Sequence, residues 1–221
     1  MLFDDRADAG RALADRVQKE VPRPKDPIVL GIPRGGVPIG YPLAERLQCP
    51  LDVLVLRKLP LPQNDQMGFG AVTLGKKVML NQRLIDAGYV RRDQIGPIVD
   101  EVYEEVLRRS RVYRGDRPFP DLAGRTVFLV DDGLATGYTM LAGLQFARDA
   151  GAERLVAAVP VAHENSFELV NKQADQVICL HVDQGYSFAV ASFYRSFPDL
   201  EDQEVTLLLE ENAKRIRQTR R

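Results

Sequence analysis

Two acidic residues follow directly on a short apolar run near the middle of the chain. The run is residues 127–130, and Asp131 and Asp132 come immediately after it. Four consecutive apolar residues are typical of a parallel strand that is buried on both faces, because such a strand has no solvent side. The glycine-containing residues 133–138 then lead into a predicted helix. A buried strand that ends in carboxylates and a turn favours an open α/β sheet with a polar carboxyl edge.

Short apolar segments alternate with amphipathic segments along most of the chain. Because strands separated by helices pair in parallel, this alternation predicts an α/β fold whose Rossmann-like parallel sheet is covered by helices on both faces. The periodicity predicts strands at residues 28–32, 51–56, 78–80, 126–130, 155–161 and 176–180. It predicts helices at residues 4–20, with a cap from residues 3–5, and at 37–47, 91–113, 139–150, 165–173 and 201–217.

Residues 59–75 fit neither pattern. They contain two prolines, three glycines and the polar run 63–66. This composition predicts an irregular loop that is longer than a simple connector, and such loops are usually mobile lids or binding loops.

Composition narrows the class of protein and its partners. The 221 residues, 45% of them hydrophobic, can form one domain with a substantial core. Thirty Lys and Arg balance 31 Asp and Glu, so no global positive field attracts nucleic acid or an anionic membrane. No apolar run approaches the ~18 residues that span a bilayer, and the first residues lack the order of a signal peptide, which predicts a cytoplasmic protein without membrane contact.

Two further features of the composition carry no predicted chemistry. Cys49 and Cys179 have no partner at a metal-binding spacing and are predicted to be buried thiols. The basic residues 214–221 are predicted to be a solvated tail at a helix end rather than a nucleic-acid contact.

The segment after the central strand has the groups that a sugar phosphate requires. Backbone amides of a glycine-containing turn at a helix N-terminus bind phosphate, and the hydroxyls of Thr136 and Thr139 can add two donors. Asp131 and Asp132 beside a phosphate site would repel a lone anion, so they indicate a ligand that also needs acceptors, such as a ribose with two free hydroxyls. The alternative is that the two aspartates cap the following helix and the turn is an ordinary one.

A second glycine turn follows the first predicted strand. Pro33, Arg34, Gly35 and Gly36 can bring backbone amides and a guanidinium to a diphosphate, although such a sequence alone also fits a plain turn. Arg57 and Lys58 follow the predicted strand 51–56, and we expect them to converge on the same anion.

The motif Val-Phe-Leu-Val-Asp-Asp-Gly-Leu-Ala-Thr-Gly-Tyr-Thr resembles the phosphoribosyl-pyrophosphate motif of the type I phosphoribosyltransferases. The resemblance implies that Asp131 and Asp132 hold the ribose 2- and 3-hydroxyls and that residues 135–139 hold the 5-phosphate. It implies a catalytic set of Asp131, Asp132, Arg34, Arg57 and Lys58. The implied donor site consists of Pro33, Arg34, Gly35, Gly36, Arg57, Lys58, Asp131, Asp132, Gly133, Leu134, Ala135, Thr136, Gly137, Tyr138 and Thr139.

The resemblance also implies how the rest of the chain is used. The turn at residues 31–38 is similar to the family's pyrophosphate loop, where an unusual cis peptide is often found. A core of about residues 22–180 would carry a small variable hood, residues 1–21 and 181–221, in which Phe188 resembles the ring that stacks on purines. Residues 59–75 would close over the site. His163 and His181 are interpreted as structural rather than as general bases.

The implied reaction is a magnesium-dependent transfer of ribose 5-phosphate from 5-phosphoribosyl 1-pyrophosphate to a nitrogenous acceptor, with release of pyrophosphate. Magnesium would arrive with the donor, since no dedicated protein cage is visible. Ala135 stands where 6-oxopurine members have an aspartate, which disfavours hypoxanthine and guanine as acceptors. The chain resembles a branch whose acceptor is unnamed, and a homodimer is implied by resemblance only. The alternative is a non-catalytic regulatory protein that binds the donor or a nucleotide, and a weaker one is a hydrolase or synthase acting on ribose phosphates.

Overall fold

The secondary structure alternates as the sequence predicts, apart from one antiparallel unit. The computed structural model describes residues 2–219, without the side chains of Asp65 and Gln66; Arg220 and Arg221, the end of the predicted basic tail, lie outside the described residues. The strands are β1 Ile28–Gly31, β2 Leu51–Val53, β3 Leu56–Leu61, β4 Asn64–Thr73, β5 Val78–Leu80, β6 Thr126–Val130, β7 Arg154–His163 and β8 Gln176–Asp183. The helices are α1 Arg6–Glu20, α2 Gly36–Arg46, α3 Gln82–Asp86, α4 Arg92–Arg114, α5 Tyr138–Asp149, α6 Glu164–Asn171 and α7 Asp202–Thr219, with a 3-10 turn at Val190–Phe193.

Five strands form the predicted parallel sheet, in the order β2-β1-β6-β7-β8. The central strand β6 is buried along its whole length. Its alternate residues enter two separate cores: Phe128 packs with residues of α1 and α2, and Leu129 with residues of α5 and α6. The prediction of a parallel sheet with helices on both faces is confirmed, and it explains why residues 127–130 are all apolar.

The predicted strand 51–56 is present but shorter, and the predicted irregular loop 59–75 is wrong. Strand β2 ends at Val53, and from Leu56 the chain enters a separate antiparallel sheet in the order β3-β4-β5. The hairpin has an apolar side, because Leu59 on β3 and Phe69 on β4 are fully buried. Pro60 is tolerated because β3 is an edge strand and its pairing shifts register at that residue.

Helix boundaries follow the predicted ones closely. The side chain of Asp5 caps α1 by accepting a hydrogen bond from the amide of Asp8 at 2.8 Å, as the sequence predicts. The short helix α3 was not predicted, because five residues are too few to establish a helical period.

Helix α7 covers the edge of the parallel sheet. Its buried Asn212 accepts a hydrogen bond from the amide of Leu51 in β2 at 2.8 Å and donates one to the carbonyl of Cys49 at 3.3 Å. Edge strands expose backbone amides and carbonyls that have no partner strand. The Asn212 side chain supplies hydrogen-bond partners for two such groups, the Leu51 amide and the Cys49 carbonyl. Cys49 is a buried free thiol, and burial raises its pKa to about 12.

Within residues 2–219, no helix combines the length and the apolar character needed to cross a membrane.

Candidate functional site at the carboxyl edge of the sheet

The two predicted motifs meet at the carboxyl ends of neighbouring strands. Gly31 at the end of β1 pairs with Val130 at the end of β6, so the turns that follow these strands lie side by side. The amide of Ile32 still donates to the carbonyl of Val130 at 2.8 Å, which keeps the first turn against the second. The peptide bond between Pro33 and Arg34 is cis.

Contact between the turns is so close that Gly35 cannot be replaced without movement. A Cβ atom at Gly35 would lie 1.9 Å from Oδ2 of Asp132. The neighbouring Gly36 is equally confined, because its Cβ would lie 2.2 Å from the carbonyl oxygen of Val130. The glycine pair therefore permits direct contact between the first turn and the second carboxylate.

Asp131 and Asp132 are half-buried at this junction. Oδ1 of Asp131 accepts a hydrogen bond from the amide of Asp132 at 2.9 Å. Burial holds the pKa of the Asp131 carboxyl well above its ordinary value, and the adjacent Asp132 carboxylate raises this pKa further. Burial also raises the pKa of Asp132, but the hydrogen bond and charge of Arg6 oppose that rise.

Arg6, in the first turn of α1, is the residue of this site that the sequence analysis missed. Its Nε donates to Oδ2 of Asp132 at 2.9 Å, and only 11% of its side chain is exposed. A signal for it was present, because Arg6 lies three residues before Ala9 and seven before Leu13 on the buried stripe of the helix. A charged residue on an apolar stripe requires a buried partner.

The turn after Asp132 is anchored at one end and open at the other. Leu134 is buried, and its amide donates to the carbonyl of Val161 at 2.9 Å. Ser166 donates from its hydroxyl to the carbonyl of Ala135 at 2.6 Å. Gly137, with a φ of 78°, precedes α5 without any side-chain cap, so Asp131 and Asp132 do not cap this helix.

The open end of the turn faces a cavity of about 520 Å³. The first amides of α5 have no acceptor within the helix, so this wall can donate hydrogen bonds to an anion. The opposite wall comes from the antiparallel sheet and α3. The cavity is lined by Lys58, Met67, Gly68, Gly70, Asn81, Leu84, Asp131, Gly133, Leu134, Ala135, Thr136, Gly137, Tyr138, Thr139 and Met140.

Arg34, Arg57 and Lys58, which the sequence predicts to converge on one diphosphate, have different neighbours in this structure. Lys58 lines the cavity, whereas Nη1 of Arg57 pairs with Glu105 of α4 at 3.0 Å. Both residues lie inside β3 rather than after β2. Nη1 of Arg34 lies 3.7 Å from Oδ1 of Asp202 at the start of α7.

Arg57 belongs to a cluster of cations around one carboxylate. Glu105 also accepts hydrogen bonds from Arg108 and Arg109, and these bonds, that of Arg108 foremost, lower the pKa of Glu105 to about 2. Burial, followed by the charge of Arg109, lowers the pKa of Arg57. Arg57 and Lys58 both border an open cleft of about 800 Å³ between β3 and α4, beside the smaller cavity.

The aromatic residues after β8 pack in a row. The ring of Phe188 lies 5.9 Å from that of His163 and 5.3 Å from that of Phe193, which in turn lies 5.4 Å from the ring of His181. Nδ1 of His163 accepts a hydrogen bond from the amide of Asn165 at 3.3 Å and so caps α6. This cap gives His163 the structural role that the sequence analysis expected.

The sequence matches the family model of the phosphoribosyl transferase domain over residues 2–193. The chain belongs to the phosphoribosyl transferase family. The family resemblance predicted from the motif at residues 127–139 is therefore confirmed.

Two curated Mycobacterium tuberculosis proteins with the provisional name phosphoribosyl transferase are similar to this chain. Each is 39% identical over 209 residues, which cover 95% of this chain and 46% of the relative. The chain thus spans about half the length of these curated relatives.

Solved structures extend the comparison to the fold. The Thermus thermophilus protein TT1426 is 36% identical, with a TM-score of 0.78 over 96% of this chain and 99% of that chain. The Aquifex aeolicus protein AQ2163 is 12% identical, with a TM-score of 0.50 over 80% of this chain and 74% of that chain, and shows the shared fold alone.

Proposed function

We propose that this phosphoribosyl transferase transfers ribose 5-phosphate from 5-phosphoribosyl 1-pyrophosphate to a nitrogenous acceptor and releases pyrophosphate. The observation that carries the proposal is that Asp131 lines the cavity faced by the open first turn of α5, with Asp132 next to it at the same strand end. Acceptors for sugar hydroxyls and donors for a phosphate then lie next to each other, as a phosphorylated ribose requires.

The 5-phosphate is assigned to the wall formed by residues 135–139. Amides of the first helical turn and the hydroxyls of Thr136 and Thr139 can donate to phosphate oxygens, and the positive end of the helix dipole favours the anion. Lys58 on the opposite wall adds a positive charge to the same cavity. A phosphate held from both walls fixes the ribose ring relative to Asp131 and Asp132.

The pyrophosphate is assigned to the turn after β1. Gly35 lies against Asp132, Arg34 belongs to the same turn, and, after burial, the charge of Arg34 contributes to the lowered pKa of the nearby Arg57. In the proposed complex Arg34 exchanges its partner Asp202 for the leaving group, because a doubly charged phosphate is the stronger acceptor.

Magnesium is proposed to be held by the donor rather than by the protein. Residues 2–219 as described contain no group of three or more His, Cys, Asp or Glu side chains that could hold a metal ion. Magnesium prefers oxygen ligands and retains several waters, so pyrophosphate and ribose oxygens can supply its sites. When bound, the ion neutralises the charge that develops on the leaving pyrophosphate.

The proposed reaction replaces one bond at the anomeric carbon of ribose. The bond from this carbon to the pyrophosphate oxygen breaks with its electron pair leaving on pyrophosphate, and the acceptor nitrogen forms the new bond from the opposite face. The residues act by orienting the donor and by placing fixed positive groups near the leaving oxygens. The acceptor proton passes to water or to the leaving group, because residue 135 is an alanine and offers no carboxylate.

Acceptor binding is proposed for the space beside Phe188. The 3-10 turn after it reaches the sugar site, since a Cβ at Gly133 would lie 2.7 Å from a methyl group of Val190. This contact leaves no space between the two segments, so the acceptor would bind beside the contact, on the side of Phe188.

Binding and turnover test the proposal separately. Isothermal titration with 5-phosphoribosyl 1-pyrophosphate and magnesium should give saturable binding, whereas ribose 5-phosphate should bind more weakly because it lacks the leaving group. Pyrophosphate release should then require an added acceptor from a panel of purines, pyrimidines and other amines. Absence of donor binding would refute the proposal, and acceptor-independent release would indicate a hydrolase instead.

A further inference from the structure

The contacts of Arg6 hold its guanidinium in one position. Nε donates to Oδ2 of Asp132 at 2.9 Å, and Nη1 donates to the carbonyl of Pro198 at 2.8 Å. The guanidinium carbon lies 3.6 Å from the centroid of the Phe197 ring, so one face of the group is covered as well. Two hydrogen bonds in one plane and a ring beneath that plane leave the group little freedom to rotate.

Phe197 and Pro198 are themselves tied to the same strand end. The ring of Tyr194 lies 4.9 Å from that of Phe197, and the Tyr194 hydroxyl donates to the carbonyl of Asp132 at 2.7 Å. Arg6 and Tyr194 thus approach Asp132 from the two ends of the chain, one at the carboxylate and the other at the backbone. The ion pair between Arg16 and Glu20 on the same helix is different, because it lies within α1 and leaves the Arg16 side chain 56% exposed.

Arg6 is the main group that opposes the effect of burial on the pKa of Asp132; the backbone amide of Asp132 and the side chain of Asp131 also lower this pKa, but by less. Gly35 presents only backbone, and the Tyr194 hydroxyl is used by the carbonyl of Asp132. A protonated carboxyl would present a hydrogen to the sugar instead of an acceptor, and a carboxylate free to turn would lose its alignment.

We infer that Arg6 is a positioning residue for the donor sugar: it keeps Asp132 ionised and occupies Oδ2, so that the remaining oxygen Oδ1 accepts a ribose hydroxyl. This inference rests on the proposed function. It assigns to the N-terminal helix a part in donor recognition that acts through Asp132, without contact between Arg6 and the donor.

The pH dependence of donor affinity separates this role from a purely structural one. Arg6 counteracts the rise that burial causes in the pKa of Asp132, so its removal moves this pKa upward. Donor binding needs the ionised form of Asp132. As the pH is lowered, donor affinity should therefore begin to fall at a higher pH in the variant than in the wild type. The charged and titratable groups that face Asp132 are Arg6, Asp131 and Tyr194, and only Arg6 changes in the comparison.

The test is titration of the donor with magnesium, from pH 5.5 to 8.5, for wild type, Arg6→Gln, Arg6→Lys and Arg16→Gln. We expect Arg6→Gln to weaken donor binding about tenfold at pH 7, as loss of a charge-assisted hydrogen bond does. The variant should also show the acid limb, which is the fall of donor affinity at low pH, at a higher pH than the wild type. Arg6→Lys, which keeps the charge, should retain the wild-type limb with weaker binding. Arg16→Gln, on the same helix, should behave as wild type.

A double variant tests whether Arg6 acts through Asp132. In the Asp132→Asn background, Arg6→Gln should cause little further loss of affinity. If the losses are additive, or if Arg6→Gln lowers thermal stability without moving the acid limb, Arg6 is only a structural link. If Arg6→Gln does not fold, a shifted limb in Arg6→Lys overturns the inference. A wild type that binds no donor at any pH refutes the proposed function, and the inference falls with it.

Discussion

At the scale of single residues, the site depends on crowding between two turns. The Asp132 carboxylate is fixed by Arg6 on one side and lies against the backbone of Gly35 on the other. A flexible side chain could move aside from an added methyl group, but this one is held by a hydrogen bond. The space at Gly35 is therefore part of the geometry that positions Asp132.

Replacing Gly35 by alanine should disrupt donor binding more than it disrupts the fold. The new Cβ would lie 1.9 Å from Oδ2 of Asp132, so the carboxylate or the turn must shift. We expect at least about tenfold weaker donor binding in titration calorimetry, as when one charge-assisted hydrogen bond is lost. Gly96→Ala in α4 is the matched control, because a Cβ there meets nothing within 4 Å. Equal donor affinity in both variants would contradict the prediction.

Asp131→Asn should stabilise the free protein and weaken donor binding. The pKa of Asp131 is raised in the folded state, so the folded protein loses stability as the pH rises from the unfolded pKa through the folded one. The asparagine avoids this cost while it still accepts from the amide of Asp132. We expect Tm to rise by about 2–4 °C at pH 7, for a gain of about 1 kcal/mol, and the difference to vanish near pH 4. A lower Tm at pH 7 would argue against it.

Sequence reasoning found the residues whose neighbours along the chain explain them. Asp131 and Asp132 follow a buried strand, and Gly35 and Gly36 follow another, so their meeting at one sheet edge could be predicted. Arg6 pairs with a residue 126 positions away, and no local pattern encodes such a partner. Its position on the apolar stripe of α1 indicated that a partner was needed but not which one.

At the scale of elements, periodicity was a sufficient guide for regular segments and failed for the hairpin. The parallel strands and the longer helices have repeated apolar positions. In β3 and β4 the alternation is interrupted by Pro60, Gly68 and Gly70, so buried Leu59 and Phe69 did not reveal a strand pair. Proline and glycine indicate a loop from local sequence, whereas the edge position and the register shift that accommodate Pro60 exist only in the assembled sheet.

Helix α7 should contribute to stability through one buried side chain. Asn212→Ala removes the partner of the Leu51 amide and of the Cys49 carbonyl and leaves both unsatisfied at the sheet edge. We expect a loss of about 2 kcal/mol in the free energy of unfolding, measured by urea denaturation. Gln218→Ala, at an exposed position of the same helix, is the control. Equal midpoints for the two variants would show that α7 does not protect this edge.

At the scale of the whole molecule, the donor cavity lies between two sheets of different kinds. The parallel sheet supplies Asp131 and the turn before α5, and the antiparallel sheet supplies Lys58 and residues of β4. The inner strands β1, β6 and β7 of the first sheet are deeply buried on both faces, whereas the hairpin is partly exposed, with Met67 at 47%. The hairpin is thus the wall with fewer packing constraints on its movement.

Donor binding should protect this hairpin. We predict that residues 59–75 close over the site as a β-hairpin. With magnesium and donor, we expect amide hydrogen exchange in β3 and β4 to slow about tenfold or more, while exchange in α7 changes little. Unchanged exchange in β3 and β4 at saturating donor would show that the wall is rigid and does not close.

The backbone of Gly35 rests against the carboxylate of Asp132, so a ligand that pulls on one displaces the other. Recognition of the sugar and recognition of the leaving group are then not separable modules in this fold. A sugar phosphate without a leaving group would still change the shape of the pyrophosphate turn. An analogue of pyrophosphate alone would likewise change the affinity of the site for ribose.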